Sequence, residues 1–435
     1  MPSLSEHFQN KEPSAIRLAS AEFAKRQDGA RDINTAIGNV SLPMHPAMQE
    51  RMHHWGNKGS LLEQGVVPYT PTVGAAETQD AFRHVIEASG FSAKDLYVQI
   101  TDGGSQAMEL AILGCCGPAG TEEKPLLVMD PAYTNYGEMA KRLGRKTVSV
   151  TRALKEDGTF TLPDMAEIEG AIEREKPGAF LVIPYDNPSG QFINREALKK
   201  LAELCARHDI WMISDEAYRE LHYTGEPASS IWGVTDKDVP GIEGRRISIE
   251  SASKVWNACG LRTGALITDN KEFHTRAVAE QTTNLCSNTL GQHIFAGLTS
   301  QSREELQAWF KRQRDYYKEL MRRMAEGIRD LVQGAIVSQT QAAIYSVVDV
   351  RNIAAPGFSA KEFVLYCAQK GAVNIEGRPT TLLTAPMAGF YGTKPGQPNP
   401  GLTQMRIAHV CPPEEMALVP QLFAELLKQF EEGRR

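Results

Sequence analysis

The sequence predicts an α/β protein built on a mainly parallel sheet, with a smaller α+β domain beside it. Three observations predict it. The middle of the chain alternates short apolar runs with helical stretches, which is the pattern of strand–helix–strand units. Those runs are apolar nearly throughout, as strands covered on both faces read. The pattern then changes after Ser302. The chain has 435 residues, which sets a prior of about two or three domains.

The seven strand-like runs are YVQI (97–100), LLVMD (126–130), KTVSV (146–150), AFLVI (179–183), WMISD (211–215), RISIE (246–250) and GALIT (264–268). Between them lie helical stretches such as 194–208. There Asn194 is placed to cap, and Leu198, Leu201, Leu204 and Cys205 form one apolar stripe. From Ser302 to Glu305 the residues fit a capping box. The helical pattern behind it continues to about Val332 and stops before Gly334. Some thirty residues of helix would span about 45 Å, long enough to leave the first domain. The remainder carries IYSVVDV (344–350), a helix near 360–370, MRIAHV (405–410) and a terminal helix. The first fifty residues hold one helix-like stretch, Ser14–Gln27, and no sheet pattern. The domains expected are therefore a large one over 52–305 and a small one made from 1–51 and 306–435. The stretch 389–401 is rich in glycine and proline and reads as a surface loop.

Composition narrows the function classes. Lys+Arg is 47 against Asp+Glu 53, a net charge of -6, which speaks against a basic nucleic-acid surface. No apolar stretch reaches the 18 residues of a membrane span. The seven cysteines include no CxxC pair and are odd in number, so neither a disulfide framework nor a metal site is expected. The N-terminus has no signal-peptide pattern and carries acidic residues, and a cytoplasmic setting is the expectation.

Open α/β sheets bind ligands beyond the carboxyl ends of their strands, so the residues that follow each run matter most. After YVQI, Gly103, Gly104, Ser105 and Gln106 open a helix. Glycines at a helix N-terminus free backbone N–H groups for an anion such as phosphate; a tight turn with a serine cap fits as well. The pattern is neither GxxxxGK[ST] nor GxGxxG. After LLVMD comes Tyr133, a ring able to stack on a planar ligand or to pack in the core. After AFLVI, Asn187 lies in a proline–glycine turn and offers an amide donor. After WMIS, Asp215 ends a buried-looking strand, where a carboxylate is costly unless paired, and Tyr218 follows within reach. After RISIE come Ser251, Ser253 and Lys254, with Arg262 eight residues on. A lysine at the mouth of a buried sheet has its neutral amine favoured and becomes a nucleophile or base, or else it is an ordinary solvated lysine. Singly each reading is weak. Together they supply an anion cradle, a stacking ring, neutral donors, a carboxylate and an amine, and the ligand that matches all of them is pyridoxal 5′-phosphate (PLP).

With these motifs in order, the sequence resembles the fold-type I, class I/II aminotransferases of the aspartate aminotransferase superfamily. The markers are 69–82 (YTPTVGAAETQDAF), 102–110 (DGGSQAMEL), 130–136 (DPAYTNY), 185–191 (YDNPSGQ), 214–221 (SDEAYREL), 251–264 (SASKVWNACGLRTG) and 405–410 (MRIAHV). Asn187 to Asp215 is 28 positions and Asp215 to Lys254 is 39. The resemblance implies that Lys254 forms the Schiff base with PLP and shuttles the proton between Cα and C4′. It implies that Asp215 partners the ring nitrogen, that Asn187 and Tyr218 donate to the phenolic oxygen, and that Tyr133 stacks. Gly104, Ser105 and Gln106, with Ser251, Ser253 and Arg262, are implied as the phosphate cradle. Tyr69 resembles a tyrosine that reaches the phosphate of the partner subunit, implying a homodimer with shared sites. Arg406 resembles the clamp for the substrate α-carboxylate, and Gly38 lies in the segment that closes on substrate.

The implied reaction is transamination of an L-amino acid with a 2-oxo acid such as 2-oxoglutarate, by a ping-pong mechanism. A C–S β-lyase on the same scaffold is the alternative. The chain departs from the family at Ala132, where an aromatic is frequent, and at Ser105, where some relatives carry lysine or threonine. It also has Leu113 where an acidic-substrate branch carries lysine. Tyr345 and Phe390 are the aromatic candidates for contact with a neutral or aromatic donor.

Overall fold

The computed structural model describes residues 2–11, 14–58, 60, 62–117, 124–393 and 396–434. The chain folds into two compact units, one of 39–319 and 339–344, the other of 1–38, 320–338 and 345–435. The expected domain bounds lie at 51/52 and 305/306, but the units divide at 38/39 and 319/320. One reason is the helix Arg303–Leu331, which continues unbroken past 319.

The first unit holds a seven-stranded sheet of β1 (Tyr97–Thr101), β2 (Leu126–Asp130), β3 (Thr147–Thr151), β4 (Ala179–Val182), β5 (Trp211–Asp215), β6 (Arg246–Ser251) and β7 (Gly264–Thr268). Their order across the sheet is β1-β7-β6-β5-β4-β2-β3. All neighbours are parallel except β7, which runs antiparallel to both β1 and β6. Every residue of β2, β4, β6 and β7 is buried, which is why these strands read as continuous apolar runs rather than alternating ones. The edge strand β3 is threonine-rich and partly exposed. Helix Gly103–Cys116 packs Ala107, Met108, Ala111 and Ile112 against this sheet. Helix Arg195–Arg207 begins where the Asn194 side chain accepts from Ala197 N–H at 3.1 Å, and it buries Leu198, Leu201, Leu204 and Cys205. Truncating one such leucine to alanine costs about 2–5 kcal/mol. At the start of Arg303–Leu331 the capping box is complete: Ser302 N–H donates to Glu305 at 2.7 Å, and Glu305 N–H to Ser302 Oγ at 3.2 Å.

The second unit has two small sheets. Ile336–Val337, Tyr345–Asp349, Gln404–Ala408 and Ala385–Pro386 form an antiparallel one. The other contains Arg31–Asn34, paired in parallel with Arg378–Leu383. This corrects the expectation of no sheet in the first fifty residues. RDIN carries one buried residue, Ile33, too few to leave an alternating pattern. In the glycine- and proline-rich stretch, Ala388–Phe390 and Pro400–Thr403 are short 3-10 turns; Lys394 and Pro395 lie outside the described residues.

Candidate active site

Strand direction brings the singled-out residues of the first unit to one edge of the sheet. The carboxyl ends of β1, β2, β4, β5 and β6 share that edge, and so does the amino end of antiparallel β7, since Gly264 pairs with both Thr101 and Ser251. Gly103, Tyr133, Asn187, Asp215, Lys254 and Arg262 all lie within a few residues of these ends.

The segment expected to cradle an anion is set by backbone contact. Gly103 has φ +76°. A side chain there would put its Cβ 2.4 Å from Arg262 Nη2, so the guanidinium lies directly against the helix N-terminus. Arg262 itself is left-handed, with φ 51°, and donates to Cys259 O at 3.0 Å. A Cβ on Gly264 would stand 2.5 Å from the Gly103 carbonyl carbon. A Cβ on Gly104 would meet Ser251 Cβ at 3.6 Å. Ser105 is exposed on the first turn. The side-chain oxygen of Gln106 turns back to accept Asp102 N–H at 2.7 Å. Ser251 Oγ donates to Ser253 Oγ at 2.7 Å and accepts Ser253 N–H at 3.0 Å.

Asp215 is held from two sides. Its Oδ2 accepts the Tyr136 hydroxyl at 2.5 Å, and its Oδ1 accepts Ala217 N–H at 3.1 Å. Burial raises its pKa above the ordinary carboxylate value. The two hydrogen bonds work against that rise, and the Glu250 and Asp186 carboxylates add to it. The Tyr136 phenol is held well above its usual pKa, first by burial and then by Asp215, so it stays a donor. Tyr133 packs edge-on against Tyr136, ring centres 5.5 Å apart, and accepts from Asn135 Nδ2 at 2.8 Å. Asn187 and Tyr218 are buried. Lys254 is half-buried in a turn closed by Asn257 N–H on its carbonyl at 3.2 Å. Trp309 Nε1 anchors that turn on Val255 O at 2.8 Å, and Asn257 Nδ2 donates to Pro43 O at 3.0 Å.

Three residues of this neighbourhood escaped the sequence reading. Tyr136 sits one helical turn beyond Tyr133, the only signal for it. Arg152 follows β3 and is 1% exposed; it donates to the carbonyls of Met129, Asp130 and Pro131 and to Asp186 Oδ1 at 3.0 Å. Arg219 is buried between Glu216 and Glu250. A glutamate inside the buried run RISIE was the available clue, since it demands a partner.

Tyr69 is 77% exposed. Gly38 and Arg406 belong to the second unit. There Arg406 is buried, its Nη2 donating to Ala36 O at 2.7 Å. Its guanidinium carbon lies 4.4 Å from the centre of the Tyr345 ring and 5.2 Å from that of Phe390. These two rings, expected to meet a donor side chain, are themselves buried and packed on the arginine.

The chemistry of the donor set fits PLP. A guanidinium at a helix N-terminus with serine hydroxyls suits a phosphate, and a carboxylate fixed by a phenol suits a ring N–H. A buried amide follows β4, a buried phenol follows β5, and an amine follows β6.

Comparison with known proteins agrees. The sequence profile of the family Aminotransferase class I and II matches residues 33–387. The chain is similar to the aspartate aminotransferase of Sulfurisphaera tokodaii, 25% identical over 380 residues that cover 86% of this chain and 88% of that one. It is also similar to the aspartate/prephenate aminotransferase of Thermus thermophilus, 26% identical over 370 residues, 84% of this chain and 89% of the relative. A solved single mutant of Thermus thermophilus aspartate aminotransferase shares the fold, with a TM-score of 0.78 over 98% of this chain and 100% of that one at 22% identity. With the family profile spanning most of its length and a donor set suited to the cofactor, this chain belongs to the class I and II aminotransferases, PLP-dependent transferases of fold type I.

Proposed function

We propose that this aminotransferase moves the amino group of an L-amino acid to 2-oxoglutarate in two half-reactions, the first product leaving before the second substrate binds. The observation that carries the reading is the adjacency of β5 and β6, with Asp215 closing one strand and Lys254 three residues beyond the other. In this reading Lys254 Nζ would hold the cofactor and, as a free amine, would take the proton from the donor's Cα. A positioned base of this kind contributes about 10²–10⁴-fold. PLP, when bound, supplies the electron sink that makes that proton acidic. Asp215 would keep a proton on the ring nitrogen, and Asn187 and Tyr218 would donate to the phenolic oxygen while Tyr133 would cover the ring. Gly104, Ser105, Gln106, Ser251, Ser253 and Arg262 bind the phosphate.

Arg406 takes the donor's α-carboxylate, and Gly38 lies in the segment that closes over it. A planar guanidinium held by ring faces on Tyr345 and Phe390 supports that role, because a bidentate carboxylate needs a fixed fork. Leu113, set by the resemblance against a lysine of an acidic-substrate branch, lines a cavity with Trp211 and Phe273 at the opposite edge of the sheet, so it gives no support to a neutral or aromatic donor, and both relatives named above carry aspartate in their names.

A homodimer with shared sites belongs to the same reading. Tyr69 stands with Val66, Val67 and Trp55, all exposed, and so many large apolar side chains left in water on one segment support an interaction face. Among the described residues no helix is long and apolar enough to cross a membrane. The seven free cysteines support a reducing, cytoplasmic setting.

Borohydride treatment of the holoenzyme tests the lysine: cofactor tethered to the peptide with Lys254 is expected, and tethering to another lysine rejects the assignment. A panel of amino donors with 2-oxoglutarate tests the reaction. A new amino acid in the products is expected, whereas pyruvate and ammonia without it would indicate the β-lyase.

A further inference from the structure

Beside the residues assigned above lies a buried charge cluster that the proposed reaction does not use. Arg219 is 5% exposed. Its Nη1 and Nη2 grip the two oxygens of Glu250 at 2.6 and 2.9 Å, and Nη1 also reaches Glu216 Oε2 at 3.3 Å. The remaining acceptors are occupied as well. Glu216 Oε1 takes Ser214 Oγ–H and Ile231 N–H, both at 2.9 Å, and Glu250 Oε1 takes Ser248 Oγ–H at 3.1 Å. The cavity bordered by Glu216, Arg219, Glu250 and Ser251 measures about 10 Å³, room for one water at most, so the cluster is not itself a ligand site. Stability alone does not explain it either, because a buried ion cluster is often no more stable than apolar residues of the same volume.

Its place in the chain suggests another role. Glu216 directly follows Asp215, and Glu250 directly precedes Ser251. Arg219 therefore ties the loop that carries Asp215 and Tyr218 to the loop that carries Ser251, Ser253 and Lys254. We propose that Arg219 is a positioning residue for transamination: its fork on Glu250 sets the lysine-bearing loop against the aspartate-bearing loop, and Glu250 provides a fixed negative charge beside Asp215. The proposal rests on the functional reading above. It separates two contributions, geometry from the arginine fork and charge from the glutamate.

The test uses purified holoenzyme with Arg219→Lys and Glu250→Gln. It reads kcat and donor KM together with the pH midpoint of the visible band of the bound cofactor. Arg219→Lys keeps the charge and loses the fork. It is expected to lower kcat on the order of tenfold, in line with the steep cost of small misplacements, while donor KM and the pH midpoint stay at the wild-type values. Glu250→Gln keeps one acceptor and loses the charge. It is expected to move the pH midpoint downward, because a nearby carboxylate favours the protonated form. A wild-type kcat in Arg219→Lys, or a wild-type midpoint in Glu250→Gln, overturns the proposal. A purely structural cluster would lower the melting temperature and leave the midpoint unmoved. Borohydride trapping on Lys254 in the wild-type enzyme is the control: its failure rejects the functional reading itself, whereas success there with unchanged variants rejects the positioning role alone.

Discussion

Two buried arginines hold the strand-end loops of the large sheet, and they do so by different means. Arg152, behind β3, reaches the carbonyls of Met129, Asp130 and Pro131, the side chains of Ser189 and Gln191, and the single carboxylate of Asp186. It fixes the loops that carry Tyr133 and Asn187. Arg219, in the loop after β5, works almost wholly on carboxylates, two of them. It fixes the loops that carry Asp215 and Lys254. The first arrangement balances one cation against one anion and relies on carbonyl dipoles for the rest. The second sets one cation against two carboxylates, one of which, Glu216, burial pushes toward its protonated form. The contrast teaches that one planar fork can serve as a mechanical tie in one half of a site and as an electrostatic element in the other.

The largest expected effect breaks both ties. Arg152→Met and Arg219→Met should each lose about 3–5 kcal/mol of stability, since each leaves buried carboxylate uncompensated; urea denaturation measures it. Neutralising the partner then separates the two. Arg219→Met/Glu250→Gln should recover more than half of the loss, whereas Arg152→Met/Asp186→Asn should recover little, because the carbonyls of Met129 and Pro131 still lose the guanidinium donor. Equal recovery would erase the distinction.

Next comes a pH effect. Burial, aided by Glu250 and opposed by Arg219, raises the Glu216 pKa from 4.5 to about 7. The folded chain therefore binds this proton more tightly than the unfolded one. Stability from this group is complete below the unfolded value and is lost as pH rises through the window up to about 7. Glu216→Gln should remove that decline from the stability–pH curve, and a curve that keeps its slope would assign the slope elsewhere.

Tyr136→Phe removes a hydrogen bond to a charged acceptor, worth about 1.5–3 kcal/mol, and should weaken cofactor binding by roughly tenfold or more. Equilibrium dialysis of PLP reads it, and unchanged affinity would show that Ala217 N–H suffices to hold Asp215. The smallest effect belongs to Ser248→Ala, which takes one donor from Glu250 and should cost about 0.5–1.5 kcal/mol in thermal unfolding. A loss as large as that of Arg219→Met would mean the serine, and not the arginine, organises the cluster.

The sheet was legible because its strands are buried on both faces. Each of the seven runs agrees with its strand to within one residue at either end. Arg31–Asn34 was illegible, since its partner strand Arg378–Leu383 lies almost the whole chain away and its own pattern is polar. Within the site, residues that directly follow a strand could be found by position, which is how Asp215, Asn187 and Lys254 came into view. Tyr136, Arg152 and Arg219 could not, because what defines them is a partner 79, 34 or 31 positions distant. Tyr345 and Phe390 were noticed as aromatic, but their packing on the Arg406 guanidinium was not legible, because the sequence alone does not bring positions 345, 390 and 406 together.

The crossing of Gly264 and Gly103 has a thermodynamic consequence. Backbone touches backbone there, with no side chain that must choose a rotamer, and Arg262 is wedged over the bare Gly103. If the proposed phosphate binds at this end of the helix, it meets a backbone already in its final shape, with the exposed Ser105 and Arg262 side chains left to be ordered. Little backbone entropy would then be lost on binding, so less of the favourable contact with a phosphate would be spent on ordering the chain. The stretch of chain with the least side-chain mass is thus the part of the site that requires the least reorganisation.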